Sequence, residues 1–241
     1  MIELLDWDTD FFGIKCGRII LSDNEILDRE TLVNSKFDFI TILNLNNNQR
    51  INENIASSYR IHLADIRVKL NMEIDEKQFF FCDDLSECED LENGIFDQLV
   101  LISDLSFHIS RFSKDKYLDQ KKVKKMYRIW IKKAILEEDK KVYYTQLDNK
   151  VTSFIVLSVN NKSLDIELIA TAPGYYHRGF AEALINKAYL LAEQMKISRI
   201  KVTTQADNIA AMNLYTRKGF VLISVDTIYH YHKSISLGRQ D

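Results

Sequence analysis

The stretch Thr171-Ala-Pro-Gly-Tyr-Tyr-His-Arg-Gly-Phe-Ala181 decides the fold. It follows the apolar run Leu164–Ala170, which reads as a strand. It leads into Gly179–Met195, where Leu184, Ile185, Ala188, Leu191, Ala192 and Met195 share one helical face. A strand that runs directly into an amphipathic helix leaves the first helical N–H groups without partners, and the helix dipole favours an anion there. Gly179 lets the backbone approach such a ligand without a Cβ, and Ala181 is small enough for the same purpose. A pyrophosphate suits this place. Many α/β proteins use such a junction only to turn the chain, so the stretch by itself leaves both readings open.

Outward from it, the pattern is regular. Upstream lie three β-rich runs, Val142–Leu147, Val151–Val159 and Leu164–Ala170, broken at Asp148-Asn149 and Asn160-Asn161 as antiparallel neighbours are. Downstream come a strand at Arg199–Thr204, a helix at Ile209–Lys218 ended by Gly219, and strands at Phe220–Ser224 and Thr227–Tyr231. Earlier, apolar residues recur at three and four over Phe96–His108 and Val123–Ile135, which predicts two helices. Lys121, Lys122, Lys124 and Lys125 flank the second as a solvated face rather than a phosphate patch. Residues 1 to 70 mix short apolar runs such as Phe37–Leu43 with a strand-like Arg60–Leu70. The acidic stretch Asp83–Asp97 reads as a linker. A boundary near Asp90 then separates residues 1–90, a smaller amino-terminal α/β domain, from residues 91–241.

Composition narrows the function. The chain has 241 residues, 46% hydrophobic and 28% charged, enough for a substantial core, and its formal net charge of −3 provides no general positive field for nucleic acid or an anionic membrane. No apolar run approaches the roughly 20 residues that span a bilayer, and Met1–Leu5 does not open a leader, so a cytoplasmic protein working on small molecules is expected. Cys16, Cys82 and Cys88 are odd in number. The last two sit among acidic residues without a further Cys or His pair, so neither disulfide nor metal is expected.

A second motif, Thr203-Thr-Gln-Ala-Asp-Asn-Ile-Ala-Ala-Met-Asn-Leu-Tyr-Thr-Arg-Lys-Gly-Phe220, shifts the balance. Asn208 and Tyr215 stand two helical turns apart and face one side. The amide can bond a pantetheine or phosphate group. The phenol, with an ordinary pKa of about 10, can protonate a leaving thiolate. Taken alone, Tyr215 reads equally as a core tyrosine.

These residues resemble the GCN5-related N-acetyltransferase (GNAT) superfamily over roughly Lys140–His232. Its acetyl-CoA signature, Gln or Arg-x-x-Gly-x-Gly or Ala, falls on Tyr176, His177, Arg178, Gly179, Phe180 and Ala181. Its later Asn-x-x-Ala-x-x-x-Tyr-x-x-x-Gly-Phe pattern falls on Asn208, Ala211, Tyr215, Gly219 and Phe220. Tyr176 departs from the family's Gln or Arg, leaving the backbone cradle and Arg178 to meet the phosphates. The resemblance implies an α/β GNAT fold: a central mixed, mostly antiparallel sheet flanked by helices, here with the extra amino-terminal domain. It further implies that Leu164–Ala170 splays from Arg199–Thr204 to admit acetyl-CoA, with N–H groups of Leu168, Ile169 and Ala170 polarising the thioester carbonyl. Some members use a glutamate near this place as base, so Glu167 reads either as a general base, acting directly or through water, or as a solvated or hydrogen-bonded strand residue.

Trp7, Phe11 and Phe12 before Gly13, with Ser110-Arg-Phe112 and Tyr127-x-x-Trp130, resemble a subgroup of that superfamily that contains dTDP-fucosamine acetyltransferase. This resemblance implies a nucleotide-linked 4-amino-4,6-dideoxyhexose as acceptor, for bacterial surface polysaccharide, with Arg111 on its pyrophosphate and Phe112 or Trp130 as platforms. Core packing is the alternative for all three, a peptide or simple amine the alternative acceptor, and a non-catalytic acyl-CoA-binding module a third reading. A homodimer stays open.

Overall fold

A computed structural model describes residues 1–23, 25–56, 58, 60–74, 85–92, 94–107, 110–160 and 162–234. In chain order the elements are β1 (Glu3–Leu4), α1 (Asp6–Phe12), β2 (Cys16–Leu21), α2 (Arg29–Val33), β3 (Phe39–Asn44), a 3₁₀ turn (Leu45–Asn47), α3 (Gln49–Ala56) and β4 (Ile61–Glu73). Then follow β5 (Ser86–Glu87), α4 (Ile95–Ser106), α5 (Arg111–Lys114), α6 (Gln120–Leu136), β6 (Lys140–Leu147), β7 (Lys150–Val159), β8 (Leu164–Thr171), α7 (Phe180–Gln194), β9 (Arg199–Gln205), α8 (Ile209–Arg217) and β10 (Val221–His232). Among the described residues no helix is long and apolar enough to cross a membrane.

Local chemistry explains the boundaries. Asp148 and Asn149 both hold positive φ, 52° and 61°, as a two-residue turn twisted to match its strands requires, and β6 pairs antiparallel with β7 across it. Asp119 starts α6 by accepting from the N–H groups of Lys121 (2.9 Å) and Lys122 (3.3 Å). Gly219, at φ 89°, ends α8: its N–H donates to the Thr216 carbonyl (3.1 Å), and the Phe220 N–H to the Tyr215 carbonyl (3.0 Å).

The strands form one mixed sheet in the order β1-β2-β3-β10-β4-β9-β8-β7-β6-β5. Among the described residues, only β2–β3 and β8–β9 run parallel. The 13-residue β4 lies between β10 and β9, so strands from before and after Asp90 share this sheet. On one face α7 and α8 pack over β4, β7, β8 and β9 around Ile155, Leu157, Leu184, Tyr189 and Ile200. On the other, α4 and α6 cover β6, β7 and β8 around Leu99, Ile131, Phe154 and Val156. Phe12, Phe39, Phe112 and Met126 join α1, β3, α5 and α6 in a third cluster, flanked by Trp7, Phe11 and Trp130.

Three expectations change. The two final strands are one, β10, with a register shift between Leu222 and Ser224. Asp226, between the two expected runs, has a buried carboxylate that takes Arg67 (2.6 Å), Lys69 (2.8 Å) and the Asn46 N–H (3.1 Å), so a charged residue continues the strand. The stretch read as a linker instead supplies β5 to the sheet edge and the start of α4. Lys122, read as solvated, donates to the Phe12 carbonyl (2.7 Å) and ties α6 to the end of α1. Cys16 and Cys88 are buried free thiols whose pKa burial pushes up to about 12 and about 11; Cys82 lies outside the described residues.

Candidate active site

The sheet opens where β8 and β9 part. They pair only at Leu164–Ile200, Asp165–Lys201 and Ile166–Val202; beyond, β8 continues to Thr171 on β7 alone, and β9 continues to Gln205 on β4 alone. A register shift between Val156 and Leu157 makes Glu167 the extra residue of β8 at the fork, a bulge that bends the strand away. Among the described residues, the edge of Leu168, Ile169 and Ala170 that faces β9 therefore has no partner strand.

At the open end, the chain turns through Gly174 (φ 88°) and His177 (φ 60°) to Gly179 (φ 84°). Gly179 precedes α7 with no side-chain cap, so the first-turn amides are left for another acceptor. A Cβ built on Gly179 meets nothing within 4 Å, which makes this an open cradle rather than a packed glycine. Tyr176, His177 and Arg178 are exposed around it, and the Arg178 guanidinium lies 5.5 Å from the centre of the Tyr175 ring. A helix start with free amides, a glycine without a packing duty and a neighbouring guanidinium fit a phosphate group.

On α8, Asn208 caps the helix by accepting from the Ala211 N–H (3.2 Å), which commits its carbonyl oxygen but not its amide nitrogen. Tyr215 is buried, with its ring 5.4 Å from that of Phe220. Burial lifts the phenol pKa above its ordinary value, so the proton is in place at neutral pH.

The acceptor side is less uniform. Glu167 is exposed and paired to Lys140 (2.9 Å), which also holds Glu137 (3.2 Å); a proton taken up by Glu167 would weaken that pair. Phe112 is buried, 6.5 Å from Trp130 and 6.4 Å from Phe12, and Trp130 also meets Tyr127 (5.3 Å) and Trp7 (6.3 Å). Both rings therefore contribute to the aromatic core. Arg111 is half-buried over the Phe112 ring (4.4 Å), with its Nε shielded and unpartnered. Burial lowers its pKa, opposed by the charges of Asp65 and Asp8.

Sequence reasoning missed a neighbouring feature. Arg60, Ile61, His62, Lys114, Lys116 and Tyr117 line an open cavity of about 360 Å³. Lys114 pairs with Asp207, next to Asn208, so the cavity adjoins the α8 start. His62, which lines it, lies with His230 and His232 around Asp115. Burial raises the Asp115 pKa, but hydrogen bonds from His230 and His232, with His62 nearby, outweigh it and hold the carboxyl well below the usual range. Burial brings His230 down to about 4 despite its bond to Asp115. The available signal was His230-x-His232 on one face of a strand; His62 and Asp115 come from distant elements.

Residues 107–220 match the model of the Acetyltransferase (GNAT) family. Among solved structures, the chain is similar to a functionally unknown conserved protein from Staphylococcus epidermidis, with a TM-score of 0.60 and 11% identity over 85% of this chain and 76% of that one. It is also similar to a GCN5-related N-acetyltransferase from Sphaerobacter thermophilus (TM-score 0.58, 8% identity, 81% of this chain and 60% of that one). Another from Kribbella flavida gives a TM-score of 0.53 at 9% identity, over 80% of this chain and 68% of that one. At these identities the likeness shows the fold. No curated protein matches the sequence significantly.

Proposed function

We propose that this chain, whose residues 107–220 match the GNAT acetyltransferase model, is an acetyltransferase that moves an acetyl group from acetyl-CoA to the amine of a nucleotide-linked amino-deoxy sugar. The dTDP-4-amino-4,6-dideoxyhexose class is the acceptor we favour. The observation that carries the acceptor reading is the cavity of Arg60, His62, Lys114, Lys116 and Tyr117, joined to the α8 start through Lys114 and Asp207. Its cations suit a diphosphate, its aromatic edge suits a base or sugar, and its volume falls within the range of small-molecule sites.

Bound acetyl-CoA supplies the acyl group. The free amides at the start of α7 and Arg178 hold its pyrophosphate, and the unpaired edge of β8 receives the pantetheine arm. Amides of Leu168 to Ala170 stabilise charge developing on the thioester oxygen. Tyr215 gives its hydroxyl proton to the departing sulfur, and Glu167, released from Lys140, accepts the proton of the attacking amine. Direct attack needs no covalent enzyme intermediate.

The test incubates the full chain and acetyl-CoA with dTDP- and UDP-linked amino sugars, free amines and lysine peptides, following free thiol and product mass. Turnover of a nucleotide sugar is expected, with its KM raised at least tenfold in Lys114→Ala and Arg60→Ala. Faster turnover of a peptide or simple amine, unaffected by these variants, would overturn the acceptor assignment.

A further inference from the structure

Three imidazoles converge on one carboxylate oxygen beside the cavity. His230 Nδ1 lies 2.6 Å, His232 Nε2 2.8 Å and His62 Nε2 3.6 Å from Asp115 Oδ2. The four potential ligand atoms lie within 4.8 Å of one another. Their placement rests on rigid backbone. His62 and His230 are register partners on β4 and β10, and His232 follows two residues later on the same face of β10. Asp115 is fixed by the Tyr117 N–H to its Oδ1 (3.0 Å) and by the Gln120 side chain to its carbonyl (2.7 Å).

We propose that His62, Asp115, His230 and His232 bind one divalent cation of the zinc type. Three imidazole nitrogens and one carboxylate oxygen are a donor set that suits zinc. Zinc-to-ligand distances of about 2.0–2.1 Å place tetrahedral ligand atoms about 3.3 Å apart, so the closest pairs here need to separate by about 0.5–0.7 Å and the widest, within 4.8 Å, to close by up to about 1.5 Å. Without an ion, Asp115 Oδ2 bonds His230 and His232, while His62 Nε2 stands at 3.6 Å, close to the same oxygen but beyond hydrogen-bond reach. Asp115, His230 and His232 are buried, while His62 is half-buried and faces the cavity, which provides a way in. The ion would staple β4, β10 and the turn between α5 and α6 together. Sequence reading expects no metal because it weighs the cysteines, and the proposal departs from that expectation. It stands on these donors alone and does not depend on which acceptor is used.

The test uses full-length protein stripped with EDTA. Zn²⁺ is titrated by calorimetry, and Co²⁺ is followed by visible absorption, whose intense bands report a four-coordinate site. One equivalent of each, with a rise in Tm on Zn²⁺ addition, is expected. His232→Gln and Asp115→Asn should weaken Zn²⁺ at least tenfold and abolish the Co²⁺ bands. His62→Gln, at the cavity rim, tests the same site in a variant whose core is intact. Absence of a four-coordinate Co²⁺ spectrum in the wild type, or unchanged Zn²⁺ affinity in folded His62→Gln, would overturn the proposal.

Discussion

Tyr215 is held from two directions. The Phe220 N–H bonds its carbonyl, and its ring packs within the α7–α8 core, so the side chain is oriented before any ligand arrives. The same burial that fixes it makes the phenol a weaker acid than free tyrosine, which matters only if the proton is used. Tyr215→Phe keeps the ring and removes the donor. If the hydroxyl protonates the leaving sulfur, kcat should fall by roughly 10²- to 10⁴-fold with acetyl-CoA affinity nearly unchanged. A purely structural hydroxyl would cost about 1 kcal/mol of stability and leave turnover alone. Steady-state kinetics alongside thermal unfolding separates the two. Near-wild-type kcat would withdraw the role.

The start of α7 allows a cleaner comparison at the level of an element. Gly174 and Gly179 both hold positive φ and both have open space where a Cβ would go, so alanine at either introduces backbone strain of about 1–2 kcal/mol without a clash. Only Gly179 adjoins the free amides of the helix. Gly179→Ala is therefore expected to weaken acetyl-CoA binding at least tenfold, while Gly174→Ala, with a similar loss of Tm, binds within a fewfold of wild type. Equal affinities by calorimetry would remove the cradle from α7. What was legible at this scale was local: the Asp148-Asn149 turn, the α7 stripe, and α8 between Asn208 and Gly219 each declare themselves within a few residues. The fork between β8 and β9 needed a resemblance, because a bulge at Glu167 leaves no mark in residue periodicity. The His62, Asp115, His230 and His232 cluster was not legible, since it exists only once β4 and β10 pair.

Across the whole molecule, Asp226 joins β10 to Arg67 and Lys69 of β4 and to the turn at Asn46. Burial raises its pKa, but Lys69, Arg67 and the Asn46 N–H outweigh it and hold the carboxyl below its ordinary value. A depressed folded-state pKa contributes stability that is present above the unfolded pKa of about 3.9 and is lost as pH falls through the folded value. Asp226→Asn should cost about 1.5–3 kcal/mol at pH 7. The gap between variant and wild type should narrow as pH drops below about 4. Denaturant melts at a series of pH values check this, and a gap that stays constant or widens in acid would refute the assignment. The position of β4 has another consequence. Both of its neighbours, β9 and β10, are later in the chain, so during synthesis on the ribosome this long strand emerges with neither edge covered. A nascent chain in that condition is open to mispairing with its neighbours. Asp65, Arg67 and Lys69, spaced along the strand, place charges where an intruding chain would have to bury them, and so guard the strand until its own partners are made.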